Sequence, residues 1–298
     1  MERGGPSQTA ISCALLRAAH YLLDDAPKIL ADPFARDLAG LASEEELRKA
    51  LDADAYAQLP DFPRLRTVFA VRSRYAEDEL GKAIQRGISQ YVILGAGLDS
   101  FAYRRGDLMH VLRVYEVDRP ASQLWKRARV AELGIAVPPT LRYVPIDFQH
   151  ATLSSGLAAG GVTRDAKAFF SWLGVTQYLP RDAVLNTLRV IASAAAPGSE
   201  LVVQFVVPPA TLTRKDADLV TALADIAASI GEPYQSFFEP EDLEDRLQQI
   251  GFGEIVHFGS EQATERYLLR RTDGLRLPGH FRMIKARVGG RLSSHAVE

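Results

Sequence analysis

The sequence predicts an α/β fold, a doubly wound and mostly parallel sheet behind an N-terminal helical cap, and three observations carry that expectation. Five short apolar runs follow one another as QYVILGAG, HVLRVYEVD, LRYVPIDF, KAFFSWLG and ELVVQFVVP. Each ends near a polar or small residue, as buried parallel strands do. Segments of helical character alternate with them, which implies right-handed crossovers. Ahead of the first run, from Arg17 to about Gly87, the pattern is helical and broken by turns, with no β-branched stretch long enough for a central strand.

In chain order, residues 1–88 read as the helical cap or lid. Residues 89–298 read as the sheet region that carries the ligand site, with a helical insertion at about 208–236. Within the cap, Leu65 to Ile84 places Leu65, Val68, Phe69, Tyr75, Ala76, Leu80 and Ala83 on one helical stripe. Pro120 to Leu133 opens with proline at a first helical position, a weaker helix covers about Ala151 to Ala159, and Arg181 to Ala195 follows Pro180. Beyond Val207 come helices at Thr213 to Ile230 and Glu239 to Ile250, then GEIVHF and HFRMIKARV, which can close the sheet as an edge hairpin. Gly289 to Glu298 reads as a tail.

At 298 residues with 47% hydrophobic content the chain can bury a sizeable core. A formal net charge of -2 and the lack of any long Lys/Arg run argue against nucleic acid or an anionic membrane as partner. The single cysteine, Cys13, excludes an internal disulfide framework and a Cys-based zinc site, and no metal is expected. Neither a signal peptide nor a 20-residue apolar span is legible, so a cytoplasmic location is the expectation. The oligomeric state is not legible.

In an open α/β sheet, ligands bind beyond the carboxyl ends of the strands. The first tip, Gly95-Ala96-Gly97-Leu98-Asp99, has two glycines that let backbone approach a ligand, but no third glycine for a pyrophosphate. A tight strand-to-helix turn would use the same glycines. Asp118 ends the second run, 21 residues after Gly97, where an acid can accept both hydroxyls of a ribose; it can equally cap the helix that Pro120 opens. Asp147 ends the third run and can accept from an adenine amine, with Phe148 against the ring. Glycine approach, ribose and adenine without a phosphate cradle describe S-adenosyl-L-methionine better than a nicotinamide dinucleotide. That cofactor needs an anchor for its carboxylate. Arg72 falls on the apolar stripe of its helix, where a guanidinium requires an anion, whereas Arg74 lies off it with Glu77 and Asp78 at surface-pair spacing.

VILGAGLDSFAYR, YEVDRP, PIDF and WLGVTQYLPRDAV together resemble the leucine carboxyl methyltransferase family, in particular its bacterial S-adenosylmethionine-dependent branch related to polyketide carboxyl O-methyltransferases. The resemblance runs from about Ala10, through DDAPKILADPFA and RSRYAEDEL, to HFRMIKARV. It implies a class I Rossmann-like methyltransferase fold in which Gly95 lies along the cofactor, Asp118 binds its ribose, Asp147 and Phe148 contact its adenine, and Arg72 holds its methionyl carboxylate. Gly97 and Asp99 belong to the same loop, with Asp99 either capping the next helix or orienting the loop. One departure stands out: where many members carry a glutamate five residues before the Tyr-Leu of the fourth-run motif, this chain has Leu173. Thr176, Gln177 and Tyr178 are the candidates for lining the acceptor pocket, beside a Trp172 that can equally be core. His150 is the histidine to inspect as a base.

The expected activity is O-methylation of a small-molecule or natural-product carboxylate, which is already ionised at pH 7 and needs no general base. Phenol or hydroxyl methylation is the neighbouring alternative, and a non-catalytic cofactor-binding or regulatory protein is the alternative of another class.

Overall fold

The computed structural model describes residues 7–146 and 152–289. A seven-stranded sheet organises it: β1 (Gln90–Leu94), β2 (Arg113–Asp118), β3 (Leu141–Pro145), β4 (Ala168–Trp172), β5 (Glu200–Phe205), β6 (Phe252–Gly259) and β7 (Arg282–Val288) stand in the order β3-β2-β1-β4-β5-β7-β6. The first five strands are mutually parallel, and β7 runs antiparallel to both of its neighbours. The expected terminal hairpin is therefore present, with its second strand inserted against β5 and its first left at the edge. The order reverses between β1 and β4, which makes the β1 and β4 tips the place where a ligand crevice opens.

Eleven helices are described: α1 (Gln8–Leu23), α2 (Ala35–Leu38), α3 (Glu44–Ala53), α4 (Phe62–Gln85), α5 (Phe101–Arg104), α6 (Pro120–Glu132), α7 (Leu153–Gly160), α8 (Arg181–Ala194), α9 (Arg214–Ser229), α10 (Pro240–Ile250) and α11 (Ser260–Ala263). Where the sequence has helix reading begin at Arg17, the structure starts it at Gln8, because Ser7 caps that end: the Ala10 N–H donates to Ser7 Oγ at 3.1 Å. Thr213 caps α9 in the same way, so the helix starts one residue after it.

Alternation along β1 divides the core. Tyr91 and Ile93 face one layer, where Val68, Val71, Tyr75 and Leu80 of α4 pack. Val92 and Leu94 face the other, with Leu157 of α7, Leu188 of α8 and Leu247 of α10. The helix carrying Arg72 thus covers the sheet directly. Its phase is as the stripe requires: Arg72 is buried and Arg74 exposed. Smaller clusters join α1 to α2 and α3, and join Leu16 of α1 and Leu65 of α4 to Leu219 and Leu223 of α9. The insertion and the N-terminal helices therefore meet over the strand tips.

Candidate functional site

The loop after β1 doubles back, its Gly95 and Ala96 N–H groups donating to the Val117 carbonyl at 2.8 and 3.1 Å. Gly95 and Gly97 take φ of +68° and +47°, which side-chain-bearing residues rarely adopt. Space makes the same demand at Gly95, where a Cβ would fall 2.3 Å from Val175 Cγ2. Asp99 Oδ1 accepts the Phe101 N–H at 2.7 Å, two residues on, just ahead of α5. The Leu98 carbonyl accepts Arg17 Nη2 from α1 at 2.6 Å.

Asp118 does not cap α6. Its Oδ2 accepts the Gly97 N–H at 2.5 Å and its Oδ1 the Arg119 N–H at 2.7 Å, so it stitches the glycine loop to the end of β2. Burial pushes this carboxyl above its ordinary range, against the pull of those two amides. Each oxygen retains a lone pair, enough to accept two further hydroxyls.

Arg72 is held by neutral groups. Its Nη1 donates to Gln204 Oε1 at 3.1 Å, its Nη2 lies 3.5 Å from Cys13 Sγ, and its guanidinium sits 4.1 Å over the Phe69 ring. Among the described residues no carboxylate pairs with it, although Arg17, Arg66, Arg74 and Arg104 all have acids. Arg74 takes Asp78, at 2.8 Å, while Glu77 goes to Arg104. Gly174, at φ +68°, lets the guanidinium reach the β4 tip, since a Cβ there would be 2.5 Å from Nη1. Through Gly174 and Val175, Arg72 and the glycine loop flank the same crevice.

An internal cavity adjoins it, walled by α1, α4 and α9 above and by the β4, β5 and β7 ends below. Of the three expected lining residues, Gln177 and Tyr178 line it and Thr176 does not. Thr176 is 1% exposed and spent on structure: its Oγ1 donates to the Gln204 carbonyl at 2.9 Å and its own carbonyl accepts Ser236 Oγ at 2.8 Å. Trp172 belongs to the core under α7 and α8, and Leu173 packs against the α4 layer where the acid of other members would stand. Asp147, Phe148 and His150 lie outside the described residues. The sequence reading left out Tyr56, Gln204, Tyr234 and His280, which the cavity brings together from four separate segments. Gln204 and His280 lay in quoted runs, and there they read as strand.

No Asp or Glu among the described residues lines the cavity. Its one histidine, His280, is pushed down to about 4 by burial, which the Asp216 carboxylate 3.8 Å away only partly offsets. Burial likewise raises the phenols of Tyr56 and Tyr178, and that of Tyr234 to about 12. Among the described residues the lining is cationic at Arg72 and Arg282, otherwise neutral, and poor in bases. For S-adenosylmethionine the fit is good: an open glycine loop, an aspartate with free lone pairs, and a guanidinium awaiting an anion.

Comparison with known proteins agrees. The family model described as leucine carboxyl methyltransferase matches residues 10–192. A Bacillus subtilis protein, YktD, provisionally named an S-adenosyl-L-methionine-dependent methyltransferase, is 28% identical over 292 residues, covering 92% of this chain and 95% of its own. A Mycolicibacterium vanbaalenii protein with the same provisional name is 31% identical over 215 residues, 67% of this chain and 68% of its own. A crystal structure from Thermobifida fusca, titled provisionally as a methyltransferase, superposes with a TM-score of 0.59 at 20% identity over 97% of both chains.

Proposed function

The chain belongs to the leucine carboxyl methyltransferase family and is an S-adenosylmethionine-dependent methyltransferase, and we propose that its acceptor is the carboxylate of a small molecule. Arg72 would hold the methionyl carboxylate, Asp118 the ribose hydroxyls, and the Gly95 to Gly97 backbone the cofactor's length. Asp147 and Phe148 are proposed for the adenine from the motif alone. Bound, the cofactor supplies a sulfonium-activated methyl group, open to in-line displacement. The chain's own contribution is positional: it excludes water and fixes the acceptor oxygen on the line of attack.

The observation that carries the carboxylate reading is the poverty of bases among the described residues that line the cavity. A phenol near pKa 10 would have to lose its proton, and His280 at about 4 is far too weak to hold it. A carboxylate arrives already ionised. Accordingly, kcat/KM for the true acceptor should be flat between about pH 6 and 9, well above both a free carboxyl near pKa 4.3 and His280; a rate rising tenfold per pH unit in that range would indicate a neutral hydroxyl acceptor instead. The direct test is incubation with methyl-labelled cofactor and a panel of acids and phenols, followed by mild base. Label released as methanol marks an ester, and retained label marks an ether or amine.

Asp118→Ala should weaken S-adenosylhomocysteine binding by about 1.5–3 kcal/mol, the range for hydrogen bonds to a charged group. Isothermal titration on the folded variant measures it; an unchanged Kd would remove Asp118 from the site.

A further inference from the structure

The cavity contains a second polar group besides Arg72 that the methyl-transfer chemistry leaves unused. Tyr56 stands in the turn between α3 and α4. Asp54 fixes that turn, accepting the Tyr56 and Ala57 N–H groups on Oδ1 at 3.0 and 3.1 Å and Ser12 Oγ of α1 on Oδ2 at 2.6 Å. The Tyr56 ring packs with Leu16, Leu65, Leu219 and Leu223. The residue is 7% exposed, lines the cavity, and its hydroxyl has no hydrogen-bond partner among the described residues.

Several other phenols inside the protein have partners among the described residues. Tyr91 pairs with Ser171 at 2.9 Å, Tyr103 with Tyr143 at 2.7 Å and Tyr115 with the Gly161 carbonyl at 2.8 Å. An orphaned buried hydroxyl costs stability that phenylalanine, filling the same space, would not. Such a group is accounted for when a ligand completes it. Burial keeps the phenol protonated at neutral pH, so it is a donor and wants an acceptor oxygen. The walls beside it, including Leu16, Leu65 and Leu223, are apolar, while the cationic and amide groups, Arg72 and Gln204, lie at the strand tips. The cavity is polar at its base and largely apolar along its sides; at the helical end Thr9 and Ser12 are already bonded to Glu232 and Asp54, which leaves the Tyr56 hydroxyl as the unpaired buried group there among the described residues.

Resting on the carboxylate reading above, we infer that the acceptor is a hydrophobic carboxylic acid bearing a hydroxyl or carbonyl oxygen away from its carboxylate, and that Tyr56 selects for that oxygen. A site built to hydrogen-bond a substrate oxygen rejects the analogue lacking it, because its own donor is then left buried and unpaired.

Matched acids test this: benzoate against 4-hydroxybenzoate, 3-phenylpropanoate against its 4-hydroxyphenyl analogue, and octanoate against 8-hydroxyoctanoate. Each is titrated into full-length protein saturated with S-adenosylhomocysteine, and each is then turned over with labelled cofactor and treated with mild base. At least one oxygenated member should bind about tenfold or more tighter than its partner, and Tyr56→Phe should abolish the preference. Without ligands, Tyr56→Phe should melt at the wild-type temperature or above. The inference is overturned if no pair shows a preference, if the preference survives in Tyr56→Phe, if no acid of the panel binds, or if the unliganded variant melts several degrees lower, since that would give the hydroxyl a protein partner. Failure of the carboxylate reading looks different: a Tyr56-dependent preference with base-stable label upholds the selection and refutes the ester. Esters formed on every pair without preference do the reverse.

Discussion

Arg72→Met is expected to weaken S-adenosylmethionine binding by about 2–5 kcal/mol, the usual cost of truncating one partner of a desolvated, hydrogen-bonded charge pair. Affinity for adenosine, which has no carboxylate, should change little. The stability of the unliganded protein should hold or rise. That last expectation follows from the surroundings of Arg72: an amide, a thiol and an aromatic face, with no acid among the described residues. Methionine retains the apolar stem on the α4 stripe and removes a buried cation that no acid among the described residues answers. A structural arginine behaves in the opposite way, since its loss would expose an orphaned acid and lower the melting temperature. Titration calorimetry with the two ligands, with thermal unfolding of the free variant, separates the cases. Equal losses for cofactor and adenosine would take Arg72 out of the carboxylate role.

The uneven legibility of this protein in its sequence has physical reasons. The parallel strands were readable because both of their faces are covered, which makes QYVIL and AFFSW nearly continuous apolar runs. The glycine loop and Asp118 could be proposed from sequence because the fold class itself puts ligands at strand tips. Arg72 was distinguishable from Arg74 by helix phase alone. The cavity was not readable in that way. Leu16, Tyr56, Leu223 and His280 become neighbours only through tertiary packing, and nothing local marks Tyr56 as different from other tyrosines in turns. Thr176 differs from Gln177 and Tyr178 for a related reason. Position at the β4 tip is visible in sequence, but whether the side chain turns to the pocket or back to Gln204 depends on β5. Buried charge was equally hidden: Glu116 on β2 and Lys126 on α6 form a fully enclosed pair at 2.6 Å, and burial lifts the glutamate to about 7 even against that cation. In sequence the two read as ordinary polar residues. Asp32 is the most consequential of these hidden acids, because through Arg17 it supports the glycine loop after β1.

Asp32→Asn should destabilise the protein by about 3–5 kcal/mol, the scale for breaking a buried ion pair and leaving its partner unanswered. Asp32 is 1% exposed and lies between two buried arginines, accepting Arg17 Nε at 2.9 Å with Arg104 Nε 3.7 Å away. Arg104 retains Glu77, but Arg17 has no second acid among the described residues. Arg17 also holds the Leu98 carbonyl, so this guanidinium ties the glycine loop to α1. Urea unfolding measures the loss, and the double variant Arg17→Met/Asp32→Asn should recover much of it, since removing both charges leaves neither buried alone. Burial by itself would raise the Asp32 carboxyl, and Arg17 and Arg104 outweigh it to hold the folded value below the ordinary one. A carboxyl depressed in the folded state stabilises fully above its unfolded pKa, near 3.9, and loses that contribution as pH falls through the folded value. The stability gap between wild type and Asp32→Asn should therefore be constant from neutral pH to about pH 5 and narrow only below pH 4. A gap that closed between pH 7 and 5 would mean that Asp32 is not ionised in the native protein, and that the loop is held by something other than this pair.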